Sequence, residues 1–284
     1  MKIGIRLREY TQHLPLDEAA KALAEDGYDT IDYSDLWDVT GALYTEKESL
    51  VEKKLREQAR IFAENSLEVS QIHGPWRYPP MDGDAAERAV WLELMKRSVR
   101  SAAYLGASFV VVHPLMPFGA NSPENPGKVI DINAEHFARL CDYAKNFPVS
   151  VCLENMPFPD LPLAHAEQIR DFADGLGRKN LRICLDTGHT NVCALQPGAA
   201  VRILGNRLAT LHIHDNHGDR DDHLAPYQGT ADFRDFASAL HEIGFGGSLS
   251  AETKVCATAD KSIFREAGRK LAADLIKMAK NDFS

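Results

Sequence analysis

Eight times along this chain a short apolar or alternating run gives way to a segment whose apolar residues recur every three to four positions. That rhythm leaves few folds open. The runs at residues 2–7, 28–33, 67–73, 108–113, 149–154, 181–186, 208–214 and 248–252 read as strands. The segments at 15–27, 46–65, 84–105, 130–146, 164–174, 197–204, 233–243 and 260–280 read as helices. Gly27 suits the position just past the first helix. Eight strand–helix units in 284 residues predict an α/β fold of the (β/α)8 TIM-barrel type. An open doubly wound sheet usually has fewer units and a glycine-rich first turn, and no GxGxxG follows the first strand. With no Gly/Ser linker or shift in composition, one domain over 1–284 is expected.

The strand ends carry the functional signal. Six runs carry a metal-competent side chain at or just before their end: His73, His113, Glu154, Asp186, His212 and Glu252. Their neighbours Ile72, Val112, Leu153, Leu185, Leu211 and Ala251 are apolar, so a period of two turns the six inward and the neighbours toward the helices. Strand C-termini form the catalytic rim of such barrels. A lone strand-end histidine is more often hydrogen-bonded than a ligand, and Asp186 before Thr187 also suits a helix cap. Six coincidences on one rim are harder to accept, and three carboxylates buried together call for a cation.

Behind His212 runs LHIHDNHGDRDDH, residues 211–223, with four histidines among aspartates. Asp221 and His223, followed by a turn at 226–229, are expected to fold back toward His212, although an exposed acidic hairpin is the plainer reading of such a loop. In Asp186-Thr187-Gly188-His189, Gly188 lets the chain turn sharply and returns a second histidine. Long connections at 34–45, 74–83 and 114–127 hold Trp37, Trp76, Tyr78 and Phe118, which are candidates for apolar walls around a site.

Charge and cysteine content narrow the partners. The net charge of −9 argues against a broad nucleic-acid face, which needs Lys and Arg over phosphates. Cys141, Cys152, Cys184, Cys193 and Cys256 are odd in number, show no CxxC pair and read as reduced core residues. The start MKIGIRLREY lacks a long apolar region and no run approaches eighteen apolar residues, so a soluble, cytoplasmic protein without a membrane partner is expected.

With VCLEN (151–155), CLDTGH (184–189), LHIHDN, DDHLAPYQGTADF and AET (251–253), the chain resembles the xylose isomerase-like TIM-barrel superfamily over essentially its whole length. That group contains sugar phosphate isomerases, ketose 3-epimerases and endonuclease IV. Resemblance to the epimerases implies one divalent metal (Mn, Mg, Co or Zn) on Glu154, Asp186, His212 and Glu252, with the two glutamates as acid and base. It implies substrate contacts at His189 and Asp160, the latter where the family has Glu. The Arg that follows the family's metal His by six positions is replaced by Gly218, with Arg220 nearby as a stand-in, and Trp76 joins the substrate-binding candidates.

Resemblance to endonuclease IV implies a different use of the rim. Its three zincs take nine ligands, and matching types stand at His73, His113, Glu154, Asp186, His189, His212, Asp221, His223 and Glu252. This chain departs from that enzyme in carrying HGPWRYPP around the first histidine and PYQG in place of a Gly-Glu-Gly turn. The expected function is therefore a metal-dependent isomerase or epimerase of a small sugar or sugar phosphate, working through an enediolate whose charge the metal offsets. A multinuclear zinc phosphodiesterase and a non-catalytic sugar- or metal-binding barrel are the alternatives. Homo-oligomers are common in the superfamily and are expected by analogy.

Overall fold

The protein, seen in a computed structural model, is described over residues 1–36, 38–76, 82–120, 125–254 and 260–283. Trp37, Tyr78 and Cys256 lie outside the described residues. The eight strands are β1 (Lys2–Arg6), β2 (Thr30–Tyr33), β3 (Glu68–His73), β4 (Phe109–Val112), β5 (Ser150–Glu154), β6 (Leu181–Asp186), β7 (Leu208–His212) and β8 (Ser248–Ala251). Strands β1 to β7 pair in parallel in chain order, and β8 returns to pair with β1. The last seam closes beyond the end of β7, where Ile213 N donates to Ser250 O (2.8 Å) and Glu252 N donates to Ile213 O (3.0 Å). The expected barrel is thus observed.

Around it lie α1 (Arg8–Thr11), α2 (Leu16–Asp26), α3 (Ala42–Thr45), α4 (Glu48–Glu64), α5 (Ala85–Leu105), α6 (Pro126–Ala144), α7 (Ala166–Leu176), α8 (Thr187–Val192), α9 (Pro197–Leu204), α10 (Phe233–Glu242) and α11 (Lys261–Lys280). The short helices α1, α3 and α8 go beyond the expected elements, because fewer than two turns carry no readable apolar period. Caps set several helix ends. Asp84 accepts from Glu87 N at the start of α5, Asn125 precedes Pro126 at the start of α6, and Gly27 ends α2 at φ 99°.

Alternation along the strands divides the core in two. Ile72, Val112, Leu153, Leu185, Leu211 and Ala251 join the large cluster between sheet and helices. Val111, Cys152 and Cys184, of the opposite parity, form a separate small cluster inside the barrel with Ala209, which the β6–β7 register shift leaves between the paired Leu208 and Thr210. Truncating one of the outer leucines to Ala would cost about 2–5 kcal/mol. Cys141, Cys152, Cys184 and Cys193 are free and buried, as expected.

Two register shifts aim side chains at the rim. Between β2 and β3 the pairing slips at Ile31/Asp32, bringing Asp32 opposite Gln71; between β6 and β7 it slips at Ile183/Cys184, bringing Asp186 opposite His212. Among the described residues no helix is long and apolar enough to cross a membrane.

Candidate active site and metal centre

The strand ends converge at one rim. Glu154, Asp186, His212 and Glu252 each bring a donor atom into a group whose members lie within 4.8 Å of one another. Asp186 and His212 are fully buried, Glu154 is 1% exposed, and the Glu252 side chain is 13% exposed. Above them opens a cavity of about 960 Å³ lined by Glu154, Glu252, His73, His113, His189, Asp221 and His223 among others. The hairpin from Asp221 therefore folds back over the rim, as expected from its turn, rather than projecting as a solvated loop.

Imidazole orientations follow from their partners. His212 Nε2 donates to Asp32 Oδ2 (2.9 Å), which leaves Nδ1 facing Glu154 Oε1 (2.7 Å) and Glu252 Oε2 (2.9 Å). His73, His189 and His223 share the opposite arrangement, each donating from Nδ1 to a backbone carbonyl: Gly74 O, Asn155 O and Glu252 O, all at 2.7 Å. Their Nε2 atoms then face the cavity side. That of His73 lies 3.2 Å from His113 Nε2 and 3.4 Å from Glu154 Oε2, while His189 and His223 aim at Asp221 Oδ2 (3.4 and 3.1 Å).

Electrostatics reflect this crowding. Burial works to raise Glu154, but His212 and His113 outweigh it and hold the carboxyl well below its usual range. Glu252 is likewise low despite burial, because His212, Arg6 and His223 surround it. Burial opposes charge on the imidazoles too, yet His212 is raised well above its ordinary value among Cys184, Glu154 and Glu252. Asp186 and Asp221 raise His189 to about 10, and Asp221 and Glu252 raise His223 to about 9, both against burial.

The donor set fits a divalent cation. Three largely buried carboxylates around an imidazole nitrogen, at the floor of the cavity, need positive charge in their midst. The chain alone meets that need by protonating histidines; a cation would displace those protons. Asp186 combines two duties: Oδ1 caps α8 by accepting from His189 N (2.7 Å), and Oδ2 accepts from His214 Nε2 (3.0 Å). The cap and the inward-facing carboxylate, separate alternatives in the sequence, coexist.

Some expected residues stand elsewhere. Asp160 is exposed and borders a different cavity, with Pro126, Leu163 and Phe172. Pro157 and Pro159 break any continuation of β5, and Met156 and Phe158 line the rim cavity instead. The Arg220 side chain is 76% exposed, pairs with Asp222 at 2.9 Å and is not among the residues lining the rim cavity. Trp76 does line the cavity, packed edge-on against His113 with centroids 4.4 Å apart. Phe118 does not, being 44% exposed beneath the Lys128 ammonium. The role of Gly188 also differs from the expected sharp turn, since it lies inside α8, where a Cβ would collide with the His214 ring.

Three site residues escaped the sequence reading. Arg6 ends β1, lines the cavity and pairs with Glu252 Oε1 (2.9 Å) and Glu9 Oε1 (2.7 Å). Asp32 ends the inward parity of β2. His214, two beyond His212, is fully buried against Asp186 and stacks on His223 with centroids 4.1 Å apart. Their signal was present as parity, because each shares the inward face of its run.

The chain belongs to the xylose isomerase-like TIM barrel family, whose pattern it matches over residues 20–279. It is 28% identical to an inosose isomerase of Bacillus velezensis over 192 residues, 65% of this chain and 64% of that one. It is 25% identical to a D-psicose 3-epimerase of Agrobacterium fabrum over 172 residues, covering 60% and 58%. The chain spans 54–66% of the length of the curated relatives that it matches at 28–29% identity. The crystal structure of IOLI protein with a zinc atom bound superimposes with a TM-score of 0.76 at 19% identity, over 98% of both chains, a likeness of fold.

Proposed function

We propose that this chain is a divalent-metal-dependent isomerase or epimerase of a sugar or sugar phosphate, acting by proton transfer through an enediolate. The observation that carries the reading is the convergence of Glu154, Asp186, His212 and Glu252, with both glutamates lining the cavity above the buried Asp186 and His212. A divalent cation held by these four would supply charge against the enediolate that develops when the carbon next to a carbonyl loses its proton. Glu154 ends β5 and Glu252 follows β8, so two carboxylates reach the cavity from strands three places apart around the barrel. One removes the proton and the other returns it, to the opposite face in an epimerase. Arg6 grips Glu252 Oε1 while Oε2 faces His212, which fixes that carboxylate's orientation. The isomerase and epimerase named among the relatives, and the zinc of the IOLI structure, support the reading.

The test is deuterium uptake from heavy water into a panel of ketoses and their phosphates, with metal in excess. Glu154→Gln and Glu252→Gln should abolish exchange while weakening sugar binding much less, because the amide still offers an oxygen but accepts no proton. Full exchange by both variants would refute the assignment.

A second reading, phosphodiester hydrolysis at three zincs, is favoured by the shared orientation of His73, His189 and His223, each with Nδ1 engaged outside and Nε2 toward the cavity side. A metal count separates the two. One tightly held metal supports the isomerase and three zincs support the phosphodiesterase.

A further inference from the structure

We infer that Asp32 is a positioning residue of the metal centre, its carboxylate holding the His212 imidazole in the orientation and tautomer that turn Nδ1 toward Glu154 and Glu252. The inference rests on the metal-centre reading above. For His212 to offer a lone pair at Nδ1, its remaining proton must sit on Nε2, and on a fully buried ring that proton needs an acceptor. Asp32 Oδ2 is that acceptor at 2.9 Å, on a side chain only 1% exposed. A neutral imidazole with nothing behind it would be free to flip or to carry its proton on Nδ1, aimed at the cation's place.

Asp32 is itself held. Gln71 Nε2 donates to the same Oδ2 (3.0 Å) and lies 3.3 Å from Leu211 O, so β3 ties the Asp32 carboxylate to the backbone of the strand that carries His212. The register slip at Ile31/Asp32 brings Asp32 opposite Gln71. The line Gln71–Asp32–His212 thus crosses the barrel from β2 and β3 to β7, and the negative charge at its middle makes the coordinating nitrogen a stronger donor.

The probe is Zn²⁺ alone, titrated in competition with a chromophoric chelator, on wild type, Asp32→Asn, Asp32→Ala and His212→Ala, each checked for folding by circular dichroism. Zinc affinity should fall about tenfold in Asp32→Asn, where a neutral acceptor remains, and toward a hundredfold in Asp32→Ala. In zinc-loaded, ¹⁵N-histidine-labelled protein the His212 Nε2–H resonance should be protected from exchange in wild type and lose that protection in Asp32→Ala, a change that general loosening of the barrel would not confine to one imidazole. If Asp32→Ala does not fold, the nearly isosteric Asp32→Asn decides. Zinc binding within twofold of wild type in the folded Asp32 variants overturns the positioning role, provided His212→Ala has lost zinc. If His212→Ala also binds like wild type, the metal centre itself is wrong.

Discussion

Replacing Gly188 by Ala should damage the protein well beyond the removal of a flexible residue. Gly188 is the second residue of α8, where Ala would ordinarily gain up to about 1 kcal/mol in helix propensity. Here the new Cβ would overlap Cε1 and Nδ1 of His214 and come within 2.7 Å of Nε2. The ring has little room to yield. It is fully buried, bonded to Asp186 Oδ1 and Oδ2 (2.9 and 3.0 Å), and stacked on His223. Overpacking costs about 1–3 kcal/mol, and losing a hydrogen bond to a charged group costs about 1.5–3 kcal/mol. After the propensity gain a net loss of roughly 3 kcal/mol remains, which for a chain of this size lowers Tm by about 5 °C. Calorimetry of Gly188→Ala, with and without His214→Ala, is the assay. Removing the imidazole should abolish most of the penalty, since the two changes share one contact. A melting point within a degree of wild type, or an equal loss in the His214→Ala background, would show that the Gly188–His214 contact does not govern this corner.

Asp186→Ala and His212→Ala should each lose bound metal and nearly all activity while keeping a folded barrel; metal analysis showing wild-type stoichiometry in either would remove that residue from the centre. Away from the site, burial and then Arg139 hold the His136 imidazole down at about 4. Its folded value lies below the ordinary 6.5, so the unfolded chain binds the extra proton first. The stability from keeping it neutral is complete above pH 6.5 and drains away as pH falls toward 4, by up to about 3 kcal/mol. Denaturation midpoints of wild type and His136→Leu between pH 7 and 4 should therefore diverge in slope; parallel curves would mean that His136 charges freely in the folded state.

What could be read from the chain was whatever local periodicity encodes. A strand's period of two is set by its own backbone, so the inward direction of Glu154, Asp186 and His212, and the outward direction of Leu153, Leu185 and Leu211, was legible without knowing the fold. The eight repeats announced the barrel, and the turn at 226–229 announced the return of Asp221 and His223. In loops no period constrains direction, so counting positions past a ligand does not fix where a side chain stands. Asp160 follows two prolines away from the rim, and Arg220 extends into solvent. Closure of the barrel decided the rest. Nothing local in β2 marks Asp32 as the partner of a histidine on β7, 180 positions later, because facing across the interior is a property of the closed ring and not of either strand. The same holds for Arg6 and Glu252, which meet because β8 returns beside β1. For His214 the deciding feature was the absence of a side chain at Gly188, a space that exists only once α8 packs over the end of β7.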